Sequence, residues 1–254
     1  MIDTVRSEWT KLFTTRTWLG LLIGACVMAG GFAALYTALA GQVQDGRPGI
    51  PPVGTQDYET LALSAAASTS VLLLILGIIG MTQEYRHRTA TPTFLTTPRR
   101  GNVVVGKLLA YALVAVPFAV LILGVNVLVV EIYAGARGSA PALSADNLQT
   151  LGAAGLVLVV FSVIGVGVGA LLRNQVGAIV GSLVYLYVVE PIVSSISALQ
   201  PAYKWLPGGA LQAMTATLNG PDLLEPWQGG LLLLGYGLLA ALLGTVLAVR
   251  RDIT

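Results

Sequence analysis

LLAYALVAVPFAVLILGVNVLVV, from Leu108 to Val130, carries no charged residue along its whole length. As an α-helix rising 1.5 Å per residue it extends about 35 Å, enough to cross the ~30 Å hydrocarbon core of a bilayer. A strand reading fails, because the apolar residues run continuously instead of alternating, and a barrel strand needs only about 9 to 11 residues. In lipid, a helix satisfies its own backbone groups within one segment, so this is the form such a run takes. Pro117 lies inside it and predicts a kink, since it removes a backbone donor and crowds the preceding turn.

Five more runs of this kind flank it: Trp18 to Ala40, Leu61 to Met81, Leu151 to Leu172, Val176 to Leu199 and Gly229 to Val249. The 254 residues are 55% apolar and 10% charged, with a mean hydropathy of +0.79, where soluble domains carry about 25% charge. The fold class is therefore all-α: a polytopic membrane protein with six transmembrane helices, forming a single transmembrane domain over residues 1–254. Basic residues precede the first run, and Ala38-Leu39-Ala40 resembles a signal-peptide cleavage site. A signal core is only about 7 to 15 residues long, however, so Trp18 to Ala40 reads as an anchor. The one cysteine, Cys26, lies within that span and reads as a small buried hydrophobe.

Assigning the connecting segments alternately to two sides places eleven of the fourteen Lys and Arg residues together, leaving Arg47, Arg137 and Lys204 on the other side. Positive residues are retained in the cytoplasm during insertion, which predicts that both termini are cytoplasmic. The net charge of +2 is a small sum of two opposed faces and implies no nucleic-acid partner.

Before the first span, Ile2, Val5, Trp9, Leu12 and Phe13 recur at helical spacing, with Asp3, Arg6, Glu8 and Lys11 at the other positions. The pattern predicts an amphipathic helix lying in the membrane interface, against the alternative of a frayed terminus. The outer segment Gly41 to Thr60, with Pro48, Pro51 and Pro52, is a turn-rich connector. The pairs Gly20 with Gly24, Gly165 with Gly169, and Gly177 with Gly181 have small-xxx-small spacing and predict packing seams between helices.

Catalytic signals are thin. Gly101 to Lys107 matches the G-x-x-x-x-G-K pattern of a phosphate loop, yet Leu108 stands where a hydroxyl should bind magnesium, and no buried strand precedes the glycines. With one histidine, one cysteine and no G-x-S-x-G, an intramembrane enzyme is not supported. His87 reads as a solvated residue of a basic loop.

That loop, Gln83 to Lys107, is the most informative connector. It is net basic, and its proline-bounded stretch Thr93 to Thr97 has room for one or two helical turns. Taken on its residues alone it is either a handle for a cytosolic partner or a plain positive-inside loop. Glu84-Tyr-Arg-His-Arg-Thr89, then Leu95, Pro98, Arg100 and Lys107, resemble the ABC-2 permease pattern E-x-x-x-G-T followed by Leu, Pro, Arg and Lys at similar spacing. The N-terminal interfacial helix, six spans, interrupted fifth span and short basic tail extend the resemblance over essentially the whole chain. Arg88 departs from it, standing where the family commonly has glycine.

The resemblance implies a coupling helix between spans 2 and 3, with Glu84, Arg86, Arg88, Thr89, Leu95, Pro98, Arg99 and Arg100 docking on a separate ABC ATP-binding subunit. It further implies an exporter of the bacterial cytoplasmic membrane, built from two such subunits and two permeases, the second a copy or a paralogue. ATP and Mg would be held by the partner subunit and no cofactor by this chain. Besides membrane lipids, the path would meet a hydrophobic or amphipathic substrate: a lipid, a drug or a natural product.

Two rival readings are an ion-coupled secondary transporter and a non-transporting membrane scaffold. A secondary transporter usually places several ionisable residues inside the bundle, and here only Glu190 qualifies. Counted from Val176 at 1.5 Å per residue, Glu190 lies about 21 Å from the inner boundary, in the outer third of the core. Pro191 beside it frees the carbonyl of Tyr187. The pair therefore predicts a break in the fifth helix, followed by short helices between Ile192 and Gly220. The resemblance implies that this region forms an outer gate, with Glu190 facing the dimer axis or a polar cavity. The alternative is a carboxylate reaching the outer headgroups.

Overall fold

A computed structural model describes residues 2–44, 47–86, 100–142, 144–215 and 223–250. In chain order the helices are α1 (Ile2–Thr14), α2 (Thr17–Leu39), α3 (Gln56–Ser64), α4 (Ser70–Arg86), α5 (Arg100–Ala136), α6 (Ala145–Leu172), α7 (Gln175–Val184), α8 (Glu190–Ser195), α9 (Gln200–Tyr203), α10 (Pro207–Thr215) and α11 (Pro226–Arg250). A 3₁₀ turn, Ala65–Thr69, joins α3 to α4, and a π-helical turn, Tyr185–Val189, joins α7 to α8. The only strands among the described residues are the two-residue β1 (Val43–Gln44) and β2 (Arg47–Pro48), an antiparallel hairpin after α2.

Among the described residues, six helical segments are long and apolar enough to cross a membrane: Thr17–Leu39, Gln56–Gln83, Val104–Ala136, Ala145–Leu172, Gln175–Ser195 and Pro226–Leu243, named spans 1 to 6. They coincide with the six runs expected. Span 2 starts earlier than its apolar run because Thr55 caps it, its side chain accepting from the Tyr58 N–H at 3.3 Å, while Asp57 and Glu59 in the first turn suit the positive end of the helix dipole. Pro117 does not end its helix, for α5 runs continuously from Arg100 to Ala136.

Spans 2 and 4 form the enclosed centre, and spans 1 and 5 are the least covered. The centre is a backbone-to-backbone seam. A Cβ on Gly77 would fall 2.2 Å from the Ser162 carbonyl oxygen, one on Gly165 would fall 2.1 Å from that of Leu74, and one on Gly169 would lie 3.1 Å from that of Ile78. Only glycine permits that approach. The Gly165 and Gly169 pair is thus a seam as expected, whereas the other two pairs make no such close approach among the described residues of this chain. At Gly20 and Gly181 a Cβ would meet nothing within 4 Å, at Gly24 only a Leu72 methyl at 3.7 Å, and at Gly177 only the side chain of its own helix cap, Asn174. Both pairs sit on spans 1 and 5, where neighbours are few. Towards the end where span 2 begins, the buried Asn126 of span 3 donates to the Ala62 carbonyl of span 2 at 3.3 Å.

The fifth span departs from expectation at Glu190 and Pro191. The helix does not break there but continues through the pair to Ser195, and ends at Ile196, whose φ of −90° and ψ of 113° are extended. The π turn explains the difference. The Glu190 N–H bonds to the Tyr185 carbonyl five residues back, and this wider turn lets the chain re-enter an α-helix with Pro191 in its first turn, where a proline costs least. The short helix α9 packs on α8, and the chain then folds back so that α10 packs on span 6. Tyr236 Oη donates to the Trp205 carbonyl at 2.6 Å, and a Cβ on Gly229 would lie 2.6 Å from the Ala210 carbonyl oxygen. Residues 216–222, the rest of the connection expected to hold short helices, lie outside the described residues.

Candidate functional site

Two places in the bundle bury ionisable side chains, near opposite ends. The first begins with α1, which forms as its periodicity predicts but turns an unexpected face inward. Val5, Glu8 and Leu12 face the bundle, while Trp9 and Phe13 are exposed. Glu8 is three residues after Val5 and four before Leu12, so it belongs to the inward stripe and not to the polar face. Its carboxylate is buried and takes two ammonium groups, Lys11 Nζ at 2.6 Å on Oε1 and Lys107 Nζ on Oε2. Lys107 is itself buried and also donates to the Gly80 carbonyl at 3.1 Å.

This corrects the reading of Lys107 as a basic residue of the loop. Its helix starts at Arg100, so Gly101 to Lys107 is helical, and its ammonium clamps α1 and the end of span 2 onto the start of span 3. Trp9, Phe13, Trp18 and Phe118 extend the clamp as successive ring contacts, with centroids 6.0, 4.9 and 5.9 Å apart.

The clamp holds the two helices that enter and leave the basic loop. Of the residues expected to meet a partner, Glu84 and Arg86 lie in the last turn of α4 and Arg100 is the first residue of α5. Arg88, Thr89, Leu95, Pro98 and Arg99 lie outside the described residues.

The second place is Glu190, which the π turn swings inward. Its residue is 2% exposed. Oε2 accepts the Gly208 N–H at 2.7 Å, and a Cβ on Gly208 would lie 1.9 Å from that oxygen, so α10 can approach only because this position is glycine. The Tyr185 hydroxyl lies beside the carboxylate. Even so, Oε1 is buried and has no partner with hydrogen-bond geometry among the described residues. Pro191 shapes the same corner. Glu190 and Pro191 line a cavity of about 230 Å³ with Ser68, Ser70, Tyr203 and Gln212. A larger cavity of about 490 Å³ lies between spans 2, 4, 5 and 6, walled by apolar groups such as Leu74, Ile164, Val168 and Ala240.

Sequence reasoning selected Glu190 and Pro191 but missed Glu8, Lys107 and the residues that complete the Glu190 cavity. For Glu8 the signal was present, an acid at i+3 and i−4 from two apolar residues of one helix face. For Ser68, Ser70, Tyr203, Gly208 and Gln212 there was none, because they come together only through packing. No group of three or more His, Cys, Asp or Glu residues able to hold a metal ion occurs among the described residues.

Residues 4–189 match the family model described as ABC-2 family transporter protein. No curated protein matches the chain.

Proposed function

The chain belongs to the ABC-2 transporter family, and from that premise we propose that it is the permease subunit of an ATP-driven exporter. In this reading the loop between spans 2 and 3 docks on a separate ATP-binding subunit through Glu84, Arg86, Arg88, Thr89, Leu95, Pro98, Arg99 and Arg100. Two permeases, identical or paralogous, assemble with two such subunits in a bacterial cytoplasmic membrane, both termini cytoplasmic. ATP and Mg stay on the partner, and this chain hydrolyses nothing by itself.

The observation that carries the reading is the clamp of Glu8, Lys107 and Gly80. A push on the basic loop meets two helix ends already tied together and to α1 by a buried ion pair, so it moves them as one body instead of bending one of them. The large apolar cavity supports a hydrophobic or amphipathic cargo, and the packing of α10 on span 6, with its Gly208 N–H on Glu190, supports an outer gate built around Glu190 and Pro191. Reconstituted vesicles test the reading: export should require ATP and the partner subunit and should survive a protonophore. Transport driven by a proton gradient without ATP would replace it with an ion-coupled carrier, and no vectorial transport at all with a scaffold.

A further inference from the structure

The two cavities adjoin, sharing Phe161 and Leu186 in their walls. One is apolar. The other offers hydroxyls from Ser68, Ser70 and Tyr203 and, in Glu190, a buried carboxylate. We propose that together they form one amphipathic site for an apolar molecule bearing a protonated amine, with the ammonium at Glu190 and the apolar body in the larger cavity.

The chemistry follows from what the carboxylate lacks. An ionised carboxylate only accepts hydrogen bonds and has room for several, but here it faces one peptide N–H on Oε2 and the Tyr185 hydroxyl, Oε1 lacks a partner of proper geometry, and no cationic donor reaches it among the described residues. No ion pair to Glu190 occurs among the described residues, in contrast to Glu8. A buried charge left so is costly, and a cationic N–H donor is the group that offsets it most strongly. Hard metal cations fit less well, since Ca²⁺ takes six to eight oxygen ligands and Mg²⁺ demands an octahedral set that is usually completed by waters and phosphates, and Glu190 is the one acid lining this cavity. Tyr187 and Tyr203 in the same wall present rings, which also favour an organic cation.

This site specifies the cargo class of the exporter and rests on that reading for calling the bound molecule cargo, although binding itself is measured without it. The full chain in neutral phosphatidylcholine nanodiscs is titrated with dansylcadaverine, an apolar ring carrying a primary amine, and with dansylamide, which lacks the amine. Against empty nanodiscs, the chain should bind the amine about tenfold more tightly than the amide, the difference one charge-assisted contact supplies. Glu190→Gln should reduce the two affinities to within about twofold, and Ser68→Phe, which narrows the polar cavity without changing charge, should weaken the amine at least about fivefold. Equal affinities in the wild-type chain, or a preference that persists in folded Glu190→Gln, would overturn the proposal. Should Glu190→Gln fail to assemble, the wild-type selectivity and Ser68→Phe decide it. Loss of selectivity in a chain that still co-purifies with an ATP-binding subunit removes only the cargo class. Selectivity in a chain with no such partner removes the exporter reading and leaves the site.

Discussion

Glu8 and Glu190 are both buried, 3% and 2% exposed, near opposite ends of the same bundle. Glu8 faces two ammonium groups, whereas Glu190 faces only neutral groups, a peptide N–H and the Tyr185 hydroxyl. A buried charge neutralised on the spot belongs to the architecture, because removing either partner strands the other. A buried charge with an oxygen left over is held in place by something other than its own stability, which is how groups kept for function usually stand. Under the proposed function, the contrast would separate residues that transmit force from those that meet cargo.

The largest effect should come from breaking the clamp. Glu8→Gln removes the counter-charge of a buried lysine, a change that typically costs about 3 to 5 kcal/mol, and it should appear as a marked fall in the melting temperature of the detergent-purified chain. The double variant Glu8→Met with Lys107→Met should recover most of that loss, because an apolar pair of similar volume replaces a buried ion pair at little net cost. It should nevertheless transport poorly, the rigid tie being gone. A double variant as unstable as the single would mean that the ion pair is not what holds α1.

Next in size is the central seam. Gly165→Leu drives a side chain into the Leu74 carbonyl, and overpacking of this kind costs about 1 to 3 kcal/mol or more. Gly181→Leu on the open side of span 5 should be almost silent. Parallel thermal unfolding of the two checks this, and equal effects would contradict the assignment of seams.

Glu190→Gln should sit at the other extreme from Glu8→Gln, within about 1 kcal/mol of the wild type or above it, since glutamine still accepts from Gly208 and the buried charge is gone. Export should fall while the melting temperature holds. A fall in both would make Glu190 a second clamp and dissolve the comparison.

The smallest perturbation is a labelling test of the side assignment that places the clamp on the cytoplasmic side. In a Cys26-free background, cysteines at Gln44, Ser144 and Asp222 should react with an impermeant thiol reagent in intact cells, and those at Thr97 and Thr254 should not. The reverse pattern would turn the molecule over.

The six spans were legible because a continuous apolar run of about 20 residues has one stable form in lipid. Leu108 to Val130 alone decides it. Glycine spacing was only half informative. The same motif reads identically on Gly165 and on Gly181, and which one meets a neighbour depends on tertiary arrangement. Pro191 misled in a physical way, for the missing donor was absorbed by a π turn one step earlier, a rearrangement no local rule demands, and the break moved to Ile196. Lys107 reads as the last loop residue because it directly precedes the uncharged run, whereas its helix begins seven residues earlier, at Arg100. The residues that line the cavity with Glu190 come from segments as far apart as Ser68 and Gln212, and only the packed bundle unites them.

The account stands or falls on whether a push from an ATP-binding subunit enters through the basic loop. The direct measurement is mass spectrometry and ATPase assay of what co-purifies with the tagged full chain, wild type against Arg99→Glu with Arg100→Glu. Charge reversal at the presumed subunit contact should weaken association or uncouple it, so the wild type should bring down an ATP-binding subunit whose hydrolysis supports export, while the double variant inserts normally and loses export. A wild-type chain that elutes without any ATP-binding subunit, or full export by the double variant, would contradict it.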